Sequence, residues 1–147
     1  VSRISAIKNG IVAVLKADSA VQSLLGKDVH GEYPVYPSYF LPKKKFPCIT
    51  VEEITDQAEV SGLKDGYDGT KRYQWQHAIV QVDCWSAKGQ AERNDVADAV
   101  MKCLLKNSVS DALYVQEPSV TVHDELDVQP SLWRKSLRFK VMYVLEV

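Results

Sequence analysis

At 147 residues, with 46% hydrophobic composition, the chain is long enough for one domain to bury roughly 70% of the surface its unfolded form exposes. The balance of 18 basic against 19 acidic residues, a net charge of -1, excludes the basic excess of a dedicated duplex-DNA reader. No window approaches the roughly 20 consecutive apolar residues of a bilayer span, and no charged-then-apolar signal pattern opens the chain, so the expectation is a soluble intracellular protein without membrane partners. Cys48, Cys84 and Cys103 lie far apart at apolar-facing positions, which predicts buried thiols rather than a disulfide framework.

Ile4, Ile7, Ile11, Val14 and Leu15 recur at helical spacing and predict an amphipathic helix from about Ser2 to Lys16. Gly10 weakens it by roughly 1 kcal/mol relative to alanine. Asp18 or Ser19 is placed to cap a second, short helix, with Val21, Leu24 and Leu25 packing inward and Gly26 supplying the turn that ends it. The next segment, from Val29 to Pro47, carries prolines at 34, 37, 42 and 47. It therefore reads as an edge or extended run, not a central strand. Pro34 to Pro37 matches a PxxP ligand, but an ordinary extended connection with its aromatics on the sheet rim is the better reading. Lys43, Lys44 and Lys45 form a basic run suited either to a solvated loop tip or to a phosphate or acidic partner.

Cys48 to Thr55 predicts a strand on which Glu52 and Glu53 point to opposite faces, so they cannot converge as a catalytic acid–base pair. Asp56 to Arg72, containing Gly62, Lys64, Gly66, Tyr67, Gly69 and Lys71 and little apolar content, reads as a mobile loop that orders on assembly. It lacks the Gly-Lys-Ser/Thr pattern of a phosphate loop. The long run from Tyr73 to Trp85 alternates, with Ala78, Val80, Val82 and Cys84 on one face and Trp75, His77, Ile79, Gln81, Asp83 and Trp85 on the other. Ser86 to Gly89 turns it into a helix whose stripe is Val96, Ala97, Val100, Met101 and Leu104, with Arg93, Asp95, Asp98 and Lys102 in the gaps. Folding that helix back over the Ala78 to Cys84 face is the economical way to cover both. Leu113 to Val122 is strand-like but interrupted by Pro118, Asp124 to Pro130 is polar, and Leu137 to Leu145 alternates as a final strand. The expected class is α+β: a mostly antiparallel sheet with helices packed mainly on one face.

No catalytic, cofactor or metal site is expected. His30 sits at a turn, His77 lacks neighbouring ligands, and His123 with Asp124 and Glu125 reads as an acidic turn. No GxSxG elbow is present. Trp75 and Trp85, aromatics with polar handles on a mixed face, suit either a subunit interface or packing beneath the Asp56 to Arg72 loop. Together with Lys43 to Lys45, Gly62, Lys64, Gly66, Tyr67, Gly69, Lys71 and Arg72 they form the candidate interface set. A second reading is a small-molecule or peptide-binding module, with or without hydrolytic activity, whose site lies among Tyr33, Tyr36, Trp75 and Trp85. A third is nucleic-acid binding through Lys43 to Lys45, Lys71 and Arg72.

Four stretches in order, DSAVQSLLG at 18–26, FPCITVEE at 46–53, VQVDCWSAKGQAERNDVADAVMKCL at 80–104 and the closing RKSLRFKVMYVLE, resemble the tail-completion proteins of long-tailed bacteriophages, also called tail terminators or tail-to-head joining proteins. The resemblance spans most of the chain as one tail-terminator-like domain, 1–147. The 64–72 stretch and the Lys43 to Lys45 run go beyond the family pattern. The resemblance implies a virion protein of the tail and neck, assembled in the host cytoplasm as a homo-oligomeric ring, commonly a hexamer. It would contact the tail tube protein and the head connector protein, with DNA only as passing cargo in the lumen and no cofactor. On this reading, protease cleaves the free protein between Gly62 and Gly69 and not the assembled particle; equal cleavage in both, followed by gel electrophoresis, counts against it.

Overall fold

The computed structural model describes residues 3–37, 45–58, 65–67, 72–109, 112, 114–122 and 132–146. Two helices open the chain, α1 (Arg3–Ala17) and α2 (Ser19–Leu25). The stripe read from α1 is the buried one: Ile4, Ile7, Ile11 and Leu15 all face inward. Asp18 caps α2, its carboxylate accepting the Val21 N–H at 3.1 Å, and Gly26 closes it at a φ of 66°, a left-handed value that glycine adopts without Cβ strain. Val21 and Leu25 are buried, whereas Leu24, expected to pack inward, lies at the surface of this short helix.

The strands are β1 (Val35–Tyr36), β2 (Cys48–Ala58), β3 (Asp65–Tyr67), β4 (Arg72–Ser86), β5 (Tyr114–Val122) and β6 (Trp133–Glu146), with α3 (Gln90–Lys106) between β4 and β5. Their order across the sheet is β1-β2-β4-β6-β5, with β3 also paired to β4. Only the β1–β2 pair is parallel; the others are antiparallel. The proline-rich segment thus supplies an edge strand of two residues, as its missing N–H groups require.

Ala78, Val80, Val82 and Cys84 on β4 join Leu137, Phe139, Val141 and Tyr143 on β6 in one buried cluster with α1, α2 and α3. Directly opposed residues of an antiparallel pair share a face, and Val80 opposes Phe139 while Val82 opposes Leu137. The α3 stripe packs here, and Arg93 is buried with it. Position 93 is three, four and seven residues before Val96, Ala97 and Val100, so helical geometry puts it on the stripe despite its charge. Ser86 fixes the strand-to-helix turn: its hydroxyl accepts from the N–H groups of Lys88 and Gly89 and donates to Glu92.

The segment read as a loop from Asp56 to Arg72 is largely strand where it is described. Residues 56–58 belong to β2, 65–67 form β3, and Arg72 starts β4. Asp65, Gly66 and Tyr67 oppose Gln74, Tyr73 and Arg72, while β6 pairs the other side of β4 up to Tyr73–Glu146. Main-chain pairing carries this three-stranded extension, so apolar alternation is not needed and the composition gave no strand signal. Pro118 coincides with a register irregularity between Gln116 and Ser119, and a second one lies between Glu53 and Thr55.

No helix among the described residues is long and apolar enough to cross a membrane. Cys48, Cys84 and Cys103 are buried thiols. Burial, and then the Asp83 carboxylate, push the Cys84 thiol far above its ordinary range, and burial likewise raises Cys103. Since only the thiolate reacts, a thiol-specific chromogenic reagent at neutral pH should label essentially no cysteine in the folded protein and all three in denaturant. Rapid labelling of the folded protein would contradict this packing.

Candidate functional site: a hydrogen-bonded sheet face and two sheet margins

Helices cover one face of the sheet; the alternate residues of β2, β4 and β6 make the other. There, Asp83 is fully buried, a costly position for a carboxylate unless its oxygens are hydrogen-bonded. The Ser136 hydroxyl, directly across the β4–β6 pair, donates to it. The Gln81 amide donates to both carboxylate oxygens at 3.0 and 3.1 Å, and the Gln81 carbonyl accepts from Arg138 Nε at 3.0 Å. One end of the same face holds Trp85, 4% exposed. Its indole N–H donates to Thr50 Oγ1 at 3.1 Å, and the Arg134 guanidinium lies 4.9 Å from its ring centroid, within cation–π range. The mixed polarity read from the sequence is therefore a hydrogen-bonded network built from three adjacent strands.

Trp85, a candidate for the interface, is packed within its own chain and offers almost no surface. Lys45 is also engaged internally: its ammonium donates to the Leu25 carbonyl at 2.6 Å, satisfying a carbonyl at the negative end of α2. It is half-buried rather than a solvated tip. Gly66, Tyr67, Arg72 and Trp75 all sit in paired strand, on the β3–β4 extension. Lys43, Lys44, Gly62, Lys64, Gly69 and Lys71 lie outside the described residues, as does the His123 to Glu125 cluster.

The alternative ligand site does not assemble. Trp75 and Trp85 are ten positions apart on one strand, about 33 Å at the usual rise. Tyr33 lies beneath the Lys27 ammonium, 5.6 Å from it, and the Tyr36 hydroxyl accepts from the Lys45 backbone N–H at 3.4 Å. Two surface cavities, of about 250 and 390 Å³, sit instead around the C-terminus of α3 and share Lys106, Asn107 and Ser108. Among the described residues no group of three His, Cys, Asp or Glu is placed to hold a metal.

The sheet ends in two edges that sequence inspection did not locate. On one side β1 covers β2 only at Ile49 and Thr50, so β2 from Val51 onward has no described strand outside it. On the other, β5 is paired, among the described residues, only with β6. Ile54 at the β2 edge and Val120 and Val122 on β5 are among the exposed large hydrophobic residues. Edges that no described strand covers, with exposed apolar side chains, can serve as templates for pairing with another chain.

The buried network makes a stability prediction. Ser136→Ala leaves Asp83 short of a donor in a water-poor site and should cost about 1–3 kcal/mol. The exposed Arg138→Ala should cost under about 1 kcal/mol. Urea unfolding of the two variants measures the difference; equal, small losses would show that the network contributes little.

A solved chain from the virion of a native gene transfer agent particle superposes with a TM-score of 0.53, at 18% identity and over 92% of each chain, which shows a shared fold. No curated protein matches this chain. The family model described as "Tail completion protein gp17" matches residues 9–143, from α1 through all the strands to the core end of β6. The chain therefore belongs to the tail completion protein gp17 family, as a structural protein of the virion tail.

Proposed function

We propose that this protein closes the tail tube as a homo-oligomeric ring, a hexamer, and joins it to the head connector, with DNA passing through the lumen. The observation that carries the reading is the family match over residues 9–143, taken with a sheet in which, among the described residues, each margin has an edge with no partner strand. Edges at opposite margins suit head-to-tail contacts, which close into rings when the rotation per copy divides a full turn. A near-neutral chain, net charge -1, fits a lumen that lets a polyanion slide without gripping it. The β3–β4 extension, carrying Gly66, Tyr67, Arg72 and Trp75, is the element we assign to contacts with the tail tube or connector. Its strands continue β4 and β6 past Ala78 and Tyr143, the last core positions among the described side chains.

The ligand-binding alternative has no observation in its favour, because Tyr33, Tyr36 and Trp85 are held in separate contacts and Trp75 lies ten positions along β4 from Trp85. Negative-stain imaging of the purified protein beside native tails, with light scattering across a concentration series, tests the ring. Annular particles matching the head-proximal end of the tail are expected. A monomer at every concentration, with the protein missing from the tail end, would overturn the proposal.

A further inference from the structure

The hydrogen-bonded network on the sheet face opposite the helices ends in a charge that the fold itself does not use. Both Asp83 oxygens accept from the Gln81 NH2, so the Gln81 carbonyl faces away from the carboxylate and takes the Arg138 Nε. The chain of contacts runs outward, from a fully buried carboxylate through Gln81 to an exposed guanidinium held by one nitrogen. Among the described residues both Arg138 Nη groups are without a partner. A guanidinium held through Nε keeps its end-on pair of N–H groups, which meets two oxygens of one anion at once.

Lys140 stands two residues further along β6, on the same face and about 7 Å away at the usual rise. It is half-buried and makes no hydrogen bond or ion pair among the described residues. Across the β5–β6 pair this face presents the exposed Ser119, opposite Arg138, and the exposed Thr121, opposite Ser136. Arg134 extends the line of cations to Trp85, which it covers. The acids among the described side chains of this face are Asp83, committed to Ser136 and Gln81, and Glu52, which lies on β2 beyond Gln81. β6 carries Arg134, Lys135, Arg138 and Lys140 before its one acid, Glu146, so a chain of net charge -1 concentrates positive charge on this strand.

We propose that, resting on the ring reading above, this strip of β6 contacts the phosphate backbone of the DNA in the lumen. Arg138 takes a phosphate end-on through its Nη groups, Lys140 takes a neighbouring one as a point charge, and Asp83 and Gln81 are positioning residues for Arg138. The chemistry of the strip selects the partner. A straight row of cations flanked by hydroxyl groups matches a polymer that offers negative charge and acceptor oxygens at every step, as the phosphodiester backbone does. An acidic peptide would have to set carboxylates at that one spacing. Phosphate contacts hold DNA without reading its sequence, and two separated contacts per copy stop short of a continuous basic lining.

The test is fluorescence anisotropy of labelled duplexes of about 20 base pairs, in two unrelated sequences, with the purified protein over roughly 50 to 200 mM salt. Affinity should fall with salt equally for both sequences. Arg138→Gln and Lys140→Gln should each weaken binding several-fold and flatten the slope of log affinity against log salt by about 0.9, one phosphate apiece. Arg138→Lys, which keeps the charge and loses the fork, should weaken binding at an unchanged slope. Gln81→Leu should weaken binding in the parent chain and add nothing beside Arg138→Gln, a coupling that a loss of stability alone does not produce. Lys102→Gln, on the exposed side of α3, should change neither affinity nor slope. Rings intact by imaging, with slopes unmoved by the Arg138 and Lys140 variants, would overturn this contact and leave the ring standing. Rings that ignore DNA and bind a polyglutamate peptide through the same two residues would overturn it in favour of an acidic protein partner. Monomers at every concentration whose DNA affinity depends on Arg138 and Lys140 would support the phosphate contact and overturn the ring. Monomers without DNA affinity would overturn both.

Discussion

β4 is paired along both sides, by β2 and β3 on one and by β6 on the other, and it can hold that place only if its two faces are both satisfied. Ala78, Val80, Val82 and Cys84 have no exposed surface, and each buried valine contributes about 1.5–3 kcal/mol relative to exposure. The helical layer exists to cover that face. The connection through Ser86 to Gly89 is short because Ser86 spends its hydroxyl on two backbone donors and on Glu92, sending α3 straight back over the strand that precedes it. A slip of one residue in β4 would exchange the apolar and polar sets.

The opposite face strengthens the same register by other means. Asp83 with Ser136 and Gln81, and Trp85 with Thr50, are contacts between or along specific rungs, and they are lost if a strand shifts. Buried polar groups that are fully hydrogen-bonded specify one arrangement, since half-satisfied alternatives carry a desolvation cost. Trp85 sits where β2, β4 and β6 all run side by side, while Trp75 belongs to the extension beyond the core.

The centre of the sheet is committed on both faces. Among the described residues β1 pairs with two residues of β2, and no strand pairs with the outer side of β5. A tail completion protein gp17 family member associates with other proteins of the virion; in the ring proposed above those contacts run through the sheet margins and the β3–β4 extension. Contacts of that kind draw on main-chain groups already aligned by the core.

Periodicity alone determined the helices, the central and final strands and the covered face. The stripes of α1 and α3 and the alternation of Ala78 to Cys84 and Leu137 to Tyr143 are produced by burial, which acts residue by residue. Arg93 was legible in principle, since its spacing placed it on the stripe and only its charge argued otherwise. The strand residues at 56–58 and 65–67 were not, because main-chain pairing between strands leaves no mark on composition. Nor were the roles of Lys45 and Trp85, whose partners Leu25 and Thr50 are 20 and 35 positions away. Order across a sheet, and hence which edges stay bare, depends on strands brought together from distant parts of the chain, and only the tertiary structure decides it.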